Sequence, residues 1–291
     1  MQAVGYYIAL PFLYLLSLLP FWLLYRVSDL FFVILYYVLG YRKKVVMENL
    51  RNSFPEKSEK ELKKIAFDFY RYLCDLFLET FKTLAISKKQ MLAHCKMREE
   101  TQKLFDSYYE QKRSIILVMG HFGNWEWAGN VVDSSKHQLY VIYHQLSNTY
   151  FNKLVIKMRT RFGTKLIEMK STLRDMVTYR KDITATAFIA DQTPFPENAY
   201  WTTFLNQDTP VFTGTEKIAS KFNYPVIYIS VKRIKRGYYE IFGELLFENP
   251  KETKEGEISE AHTRRLEKDI IAQPEIWLWS HRRWKHKRSK A

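Results

Sequence analysis

Ser114–Glu126 reads SIILVMGHFGNWE. Ser114–Met119 is a short, continuous apolar run rich in Ile and Val, the pattern of a strand covered on both faces of a sheet rather than on one. Gly120 ends the run, a histidine follows, and a helical stretch is expected over Trp125–Ser134. Similar runs recur at Leu139–Tyr143, Lys165–Ile167, Thr184–Ala190 and Val226–Val231, with a more alternating pair at Tyr238–Ile241 and Glu244–Phe247. Helical candidates lie between and after them at Asn148–Phe162, Leu173–Arg180, Thr213–Phe222 and Ile258–Ala272. Strands alternating with helices predict an α/β fold, a mostly parallel mixed sheet flanked by helices. No internal repeat, low-complexity tract or Pro/Gly/Ser-rich linker interrupts it.

Upstream, Ser58 followed by Glu61 has capping-box spacing and starts a helix. Its apolar residues Leu62, Ile65, Phe69, Leu73, Leu76, Phe77 and Leu84 recur at helical intervals, which predicts core packing. Further back, Met1–Tyr25 contains no charged side chain, and Val4–Tyr25 is 22 mostly apolar residues. A bilayer core takes about 20 helical residues. Arg26 and Asp29 interrupt the run, Leu30–Tyr41 extends it, and Arg42, Lys43 and Lys44 follow. A cleavable signal peptide fits badly, with neither a basic start nor a small-residue cleavage site. The segment reads as an N-terminal hydrophobic membrane-anchor helix, spanning or re-entrant, the alternative being a pair of buried core helices. The basic flank sets the remainder on the cytoplasmic side. The expected organisation is an anchor over residues 1–44 and one α/β catalytic domain over residues 45–291.

The composition supports a folded, basic protein. Of 291 residues 47% are hydrophobic and 16% aromatic, which excludes intrinsic disorder. Two cysteines, Cys74 and Cys95, are too few for a disulfide scaffold and too far apart for zinc-ligand spacing. Against 31 Asp and Glu stand 45 Lys and Arg, a formal charge of +14 that calls for a polyanionic neighbour: nucleic acid, an anionic membrane face, or an acidic carrier protein or substrate. None of the recognised nucleic-acid motifs is present, so nucleic acid is not the expected partner.

The turn Gly120–Glu126 carries the chemistry. In an open parallel sheet, ligands bind beyond the carboxyl ends of the strands. His121 stands directly after a buried strand, and Glu126 five residues later begins a helix, so the two can face each other across the turn. A carboxylate on one imidazole nitrogen fixes the tautomer and leaves the other free to take a proton from a substrate hydroxyl, which is general-base activation of an oxygen nucleophile. Gly120 and Gly123 permit close backbone approach of substrate, and Asn124 is expected beside them on the substrate side. No G-x-x-x-x-G-K-[ST], G-x-G-x-x-G or G-x-S-x-G is present, so nucleotide hydrolysis, dinucleotide redox chemistry and serine hydrolysis lack their usual machinery. No histidine pairs with a further ligand at metal spacing, and neither a metal site nor a cofactor is expected.

Gly120–Glu126 (GHFGNWE) resembles the first motif of the glycerolipid-type acyltransferase superfamily, and most closely the late acyltransferases of lipid A synthesis, the lauroyl/myristoyl transferase group. The similarity continues in order through Arg161-Phe162-Gly163 with Lys165-Leu166-Ile167, Asp191-Gln192-Thr193-Pro194, Phe212-Thr213-Gly214-Thr215-Glu216-Lys217 with Tyr224-Pro225-Val226-Ile227, and Pro274–Trp279 with His281–Lys285. It covers nearly the whole chain, the N-terminal hydrophobic helix included. One departure is Phe204-Leu205-Asn206, where members often carry an aromatic pair and a glycine.

The resemblance implies a bacterial inner-membrane O-acyltransferase facing the cytoplasm. It would move a fatty acyl chain from acyl carrier protein to a hydroxyl of a lipid A precursor; an aminolipid, lysophospholipid or glycolipid acceptor is the alternative. His121 and Glu126 are the implied general-base dyad. Arg161 is either an acceptor-phosphate or oxyanion contact or a solvated helix-end arginine. Asp191, at the same sheet edge, is either catalytic support or a turn cap. The basic tail His281–Arg288, with Arg282, Arg283 and Lys285, is either a solvated end or a surface for lipid phosphates or the acidic carrier.

Overall fold

The computed structural model describes residues 2–131 and 135–288. A seven-stranded sheet is built from β1 (Cys95–Met97), β2 (Ile115–Met119), β3 (Gln138–Tyr143), β4 (Lys165–Glu168), β5 (Thr184–Ile189), β8 (Val226–Lys235) and β9 (Tyr238–Phe247) in the order β1-β9-β8-β2-β5-β3-β4. All neighbours pair in parallel except β8 and β9, which form an antiparallel hairpin. The mostly parallel mixed sheet is therefore as expected. The two segments read separately around Gly243 are one strand, because the glycine pairs with Ile229 and keeps the ladder continuous. A two-stranded hairpin, β6 (Tyr200–Phe204) and β7 (Gln207–Val211), stands apart from the main sheet.

β2 shows why its run is apolar throughout. Ile116 and Val118 enter one core together with Phe69, Tyr228 and Leu266, while Ile115, Leu117 and Met119 enter the opposite core with Phe105 and Trp127. The helices that cover the two faces are α4 (Glu59–Lys82), α5 (Lys88–His94), α6 (Glu99–Glu110), α7 (Trp125–Val131), α8 (Thr149–Arg159), α9 (Thr172–Thr178), α10 (Gly214–Phe222) and α11 (Glu257–Ala272). The α7 expectation ran to Ser134, whose last residues, 132–134, lie outside the described residues. α4 begins at the expected capping box: Ser58 Oγ accepts the Glu61 N–H and Glu61 Oε2 accepts the Ser58 N–H at 2.8 Å. Cys74 on α4 and Cys95 on β1 are both buried and unpaired with each other.

The N-terminal segment departs from a single Val4–Tyr25 helix. Proline lacks the N–H that would continue a helix, so α1 (Gln2–Leu18) stops before Pro20, which caps α2 (Phe21–Val33). A short π-helical turn, Ile34–Val38, extends α2, and Phe21–Val38 is the one described helix long and apolar enough to cross a membrane. Lys43–Ser53 forms α3. α2 packs along α4 with Leu24, Ser28 and Phe32 inward and leaves Trp22 (68% exposed), Leu30, Tyr37 and Val38 outward. The inward face is polar where it meets the domain. Ser28 Oγ donates to Asp75 at 2.7 Å, Arg236 Nη2 reaches Asp29 at 2.7 Å, and Lys82 Nζ donates to the Ser17 carbonyl at 2.8 Å.

Phe204-Leu205-Asn206, the place of the departure, is the β6–β7 turn. Leu205 and Asn206 have φ of 48° and 62°, as a two-residue type I′ hairpin requires. Leucine is unusual there; its side chain is buried and its N–H is given to Glu267.

Candidate active site

Strand register brings the site together. β2 and β5 are parallel neighbours with Met119 opposite Ile189. The second residue past each end, His121 and Asp191, therefore meet at the carboxyl edge of the sheet. His121 Nδ1 lies 2.6 Å from Asp191 Oδ1, and Oδ2 accepts the His121 backbone N–H and the Trp277 indole N–H, each at 2.8 Å. Burial would raise the Asp191 carboxyl, but the charge and hydrogen bonds of His121 and the bond from Trp277 outweigh it and hold it at about 2. A carboxyl depressed in this way contributes stability above its unfolded value and loses it only as pH falls through about 2, so the carboxylate partner persists at all physiological pH. With Nδ1–H donating to Asp191, Nε2 keeps its lone pair, and the Gln192 amide nitrogen stands 3.3 Å from it.

Glu126 does not hold the imidazole, contrary to the sequence expectation. α7 begins at Trp125, whose ring stands edge-on to His121 at 4.9 Å between centroids. Glu126, about 100° further round the helix, turns toward α8 and meets Arg159, whose Nε donates to Oε2 at 2.9 Å while Nη2 takes the other oxygen. Burial would raise this carboxyl; Arg159 outweighs it and, with a smaller contribution from the His121 charge, lowers it. Two carboxylates thus flank His121, one by hydrogen bond and one by charge.

The rest of the turn is pinned rather than open. Gly123 has φ of +62°, and a Cβ there would fall 1.8 Å from the Val231 carbonyl oxygen. Its N–H goes to the Ile276 carbonyl at 3.0 Å and its own carbonyl accepts the Tyr72 hydroxyl at 2.6 Å. At Gly120 a Cβ would press on Leu266 at 2.7 Å. Both glycines thus answer to the protein's own packing. Asn124 is wholly buried, with Oδ1 accepting the Trp127 N–H at 2.9 Å and Nδ2 donating to Glu79 at 2.8 Å. It caps α7 inside the protein instead of facing substrate. Arg161 is tied by Nη1 to the Thr83 carbonyl at the end of α4. The arginine at the site is Arg159, two residues earlier in the same stretch.

Behind Trp125 and Glu126 lies an apolar cavity walled by Leu117, Met119, Val141 and Ile189 of the sheet and by Ala128 of α7, with Arg159 and Glu126 among its few polar groups. Among the described residues no group of three or more His, Cys, Asp or Glu is set to hold a metal ion.

A partly exposed histidine held by a buried aspartate beside an apolar cavity suits transfer of an apolar acyl group, and the comparison with known families agrees. Residues 1–286 match the model of the bacterial lipid A biosynthesis acyltransferases. The chain belongs to that family. Two curated relatives are a lipid A biosynthesis palmitoleoyltransferase of Escherichia coli (strain K12) and a lipid A biosynthesis acyltransferase of Shigella flexneri. Each is 23% identical over 256 residues, covering 84% of this chain and 79% of the relative.

In this acyltransferase the C-terminal tail divides in two. Arg283 is buried, with Nη2 donating to the Pro210 carbonyl at 2.7 Å, and burial lowers its guanidinium to about 10. It is no member of a surface cluster. Arg282, Lys285, Lys287 and Arg288 instead line an open basic cleft with Lys44. The cleft adjoins the site through Thr193, whose hydroxyl donates to the Arg283 carbonyl at 2.9 Å and lies 3.3 Å from His281 Nε2. Burial pushes His281 down to about 4, so it stands neutral beside the pair. Sequence reasoning missed Arg159, Trp277 and Glu79 as site residues. Arg159 lay within reach, two residues before the quoted Arg161, and Trp277 stood inside the quoted Pro274–Trp279 block; Glu79 carries no local signal.

Proposed function

We propose that the protein is a membrane-seated O-acyltransferase that moves a fatty acyl chain from acyl carrier protein to a hydroxyl of a lipid A precursor. The observation that carries the reading is the His121–Asp191 pair, with Nε2 unencumbered by the carboxylate and Trp125 touching both the imidazole and the apolar cavity. The acceptor hydroxyl gives its proton to Nε2 while its oxygen forms the new C–O bond at the thioester carbonyl. The tetrahedral intermediate then collapses, the C–S bond breaks, and the imidazolium returns the proton to the departing thiolate. Asp191 orients the ring and stabilises the imidazolium. Glu126, held by Arg159, adds negative charge on the second side, and the cavity takes the acyl tail.

Residues 1–44 form the membrane seat in this reading and residues 45–291 the catalytic domain, on the cytoplasmic face of the bacterial inner membrane. The outward apolar faces of α1 and α2 support it, since contiguous exposed apolar surface of this kind marks an interaction site. The inward ties of Asp29, Ser28 and Ser17 to the domain favour a re-entrant seat over a helix standing free of it.

The basic cleft suits an acidic carrier protein. Electrostatic steering is screened over about 8 Å at physiological ionic strength, so kcat/KM with an acyl carrier protein donor is expected to fall more steeply with salt than with acyl-CoA. Substituting Arg282 and Lys285 by Ala should flatten that difference, and equal salt sensitivity for the two donors would remove the carrier protein from the reading. The acceptor is tested by mass spectrometry of lipid A and total lipids from a strain lacking the protein. Loss of one secondary acyl chain from lipid A is expected; intact lipid A with an acyl chain missing from an aminolipid, lysophospholipid or glycolipid would move the acceptor there.

A further inference from the structure

Asn124 leads away from the site to a buried carboxylate. Glu79 on α4 is 0% exposed and receives donors from three other elements. Oε2 accepts Asn124 Nδ2 and the Tyr239 hydroxyl of β9, both at 2.8 Å, and Oε1 accepts the Tyr25 hydroxyl of α2 at 2.8 Å. Its backbone carbonyl accepts the Trp127 indole N–H at 2.9 Å. One side chain therefore joins the apolar N-terminal helix, the inner face of the β8–β9 hairpin and the turn that carries His121.

All three side-chain partners are donors, so the network fits the ionised carboxylate. Burial opposes that state. Desolvation and then the charge of Asp75 push Glu79 up, the bonds from Tyr239 and Tyr25 and the charge of Arg233 pull it back, and it settles at about 7. Tyr72 and Cys95 also face it, and burial first and then its charge disfavour their own ionised forms. A carboxyl raised on folding binds more protons in the folded than in the unfolded state, so its contribution to stability falls as pH rises from its unfolded value through about 7. A carboxyl whose ionisation erodes stability, and which nevertheless fixes the geometry of the turn that carries His121, has the signature of function held against stability.

We propose that Glu79 is a positioning residue for acyl transfer: through Asn124 it sets the His121–Glu126 turn, and through Tyr25 it makes that setting depend on the seating of α2. The proposal rests on the reading of His121 as the general base. A group that positions without touching substrate acts on kcat, and a misplacement of about 1 Å is worth roughly 10²-fold. In the full-length protein Glu79→Gln should lower kcat by about 10–100-fold with KM little changed, while the melting temperature at pH 8 stays equal or rises. Tyr25→Phe should lower kcat by less, and should add no further loss in a Glu79→Gln background because the path is already cut. A fall of kcat and melting temperature together in Glu79→Gln would make the residue merely structural and overturn the proposal, as would unchanged kcat or losses that multiply in the double variant. His121→Ala, run alongside, separates the two readings. If it stays active, the base assignment fails and this proposal with it; if it is dead while Glu79→Gln is fully active, only the role of Glu79 falls.

Discussion

His121→Ala is expected to abolish acyl transfer while the protein stays folded. The imidazole is partly exposed, with a side chain 17% accessible, so its loss opens no large cavity in either core. The turn remains pinned at both polar atoms of Gly123. What disappears is the group that accepts the hydroxyl proton in the proposed mechanism, and general-base catalysis is worth about 10²–10⁴-fold. A purified, cooperatively melting His121→Ala protein that still transfers acyl chains at close to the wild-type rate would end this mechanism.

The second large effect is expected at Asp191. In Asp191→Asn the amide must satisfy what the carboxylate satisfied: two N–H groups on one oxygen and the Nδ1 proton on the other. One of its positions is now a donor. If it faces Nδ1, the ring shifts its proton to Nε2 and loses the lone pair that would take the substrate proton. If it faces the other way, it opposes two buried N–H groups. The analogous change in serine proteases costs about 10⁴ in kcat through the wrong tautomer, and a loss approaching that is expected here. Glu126→Gln should cost less, because Glu126 acts on His121 by charge and its hydrogen bonds go to Arg159. Parallel kcat measurements on the two variants check the order, and a greater loss in Glu126→Gln would return the orienting role to Glu126.

That difference also marks how far the sequence could be read. The β2 strand, the turn after it and the flanking helices were legible because an unbroken Ile/Val run and 3.6-residue periodicities are local signals. The Glu126 assignment was local too, and it failed for that reason: five residues along the chain places a carboxylate near the histidine but not facing it, because Trp125 occupies the face of α7 beside the ring. Asp191 lies 70 residues from His121 in sequence. Their meeting depends on β5 inserting between β2 and β3, a matter of strand order that no local pattern contains. β1 has three residues, and the β6–β7 hairpin carries Asp208, Pro210 and a turn without glycine, so neither presents the usual marks of strands. α6 leaves little trace in the sequence because its buried face is carried by only Thr101, Phe105 and Tyr108 among charged neighbours. At the N-terminus the apolar composition was plain, but the break at Pro20 moved the long helix some twenty residues downstream of where the uncharged stretch begins.

The two cysteines have a practical consequence. Cys74 and Cys95 are both buried, and burial pushes the Cys74 thiol up to about 12 and the Cys95 thiol higher still. Since the thiolate is the reactive species, the native protein is close to silent toward maleimides and mild oxidants. Any single cysteine introduced on the outer face of α1 or α2, at Phe12 or Leu30 for instance, would therefore be the one site to take a fluorophore or spin label. Wild-type protein thus comes ready-made for testing, residue by residue, whether these helices enter lipid and how far.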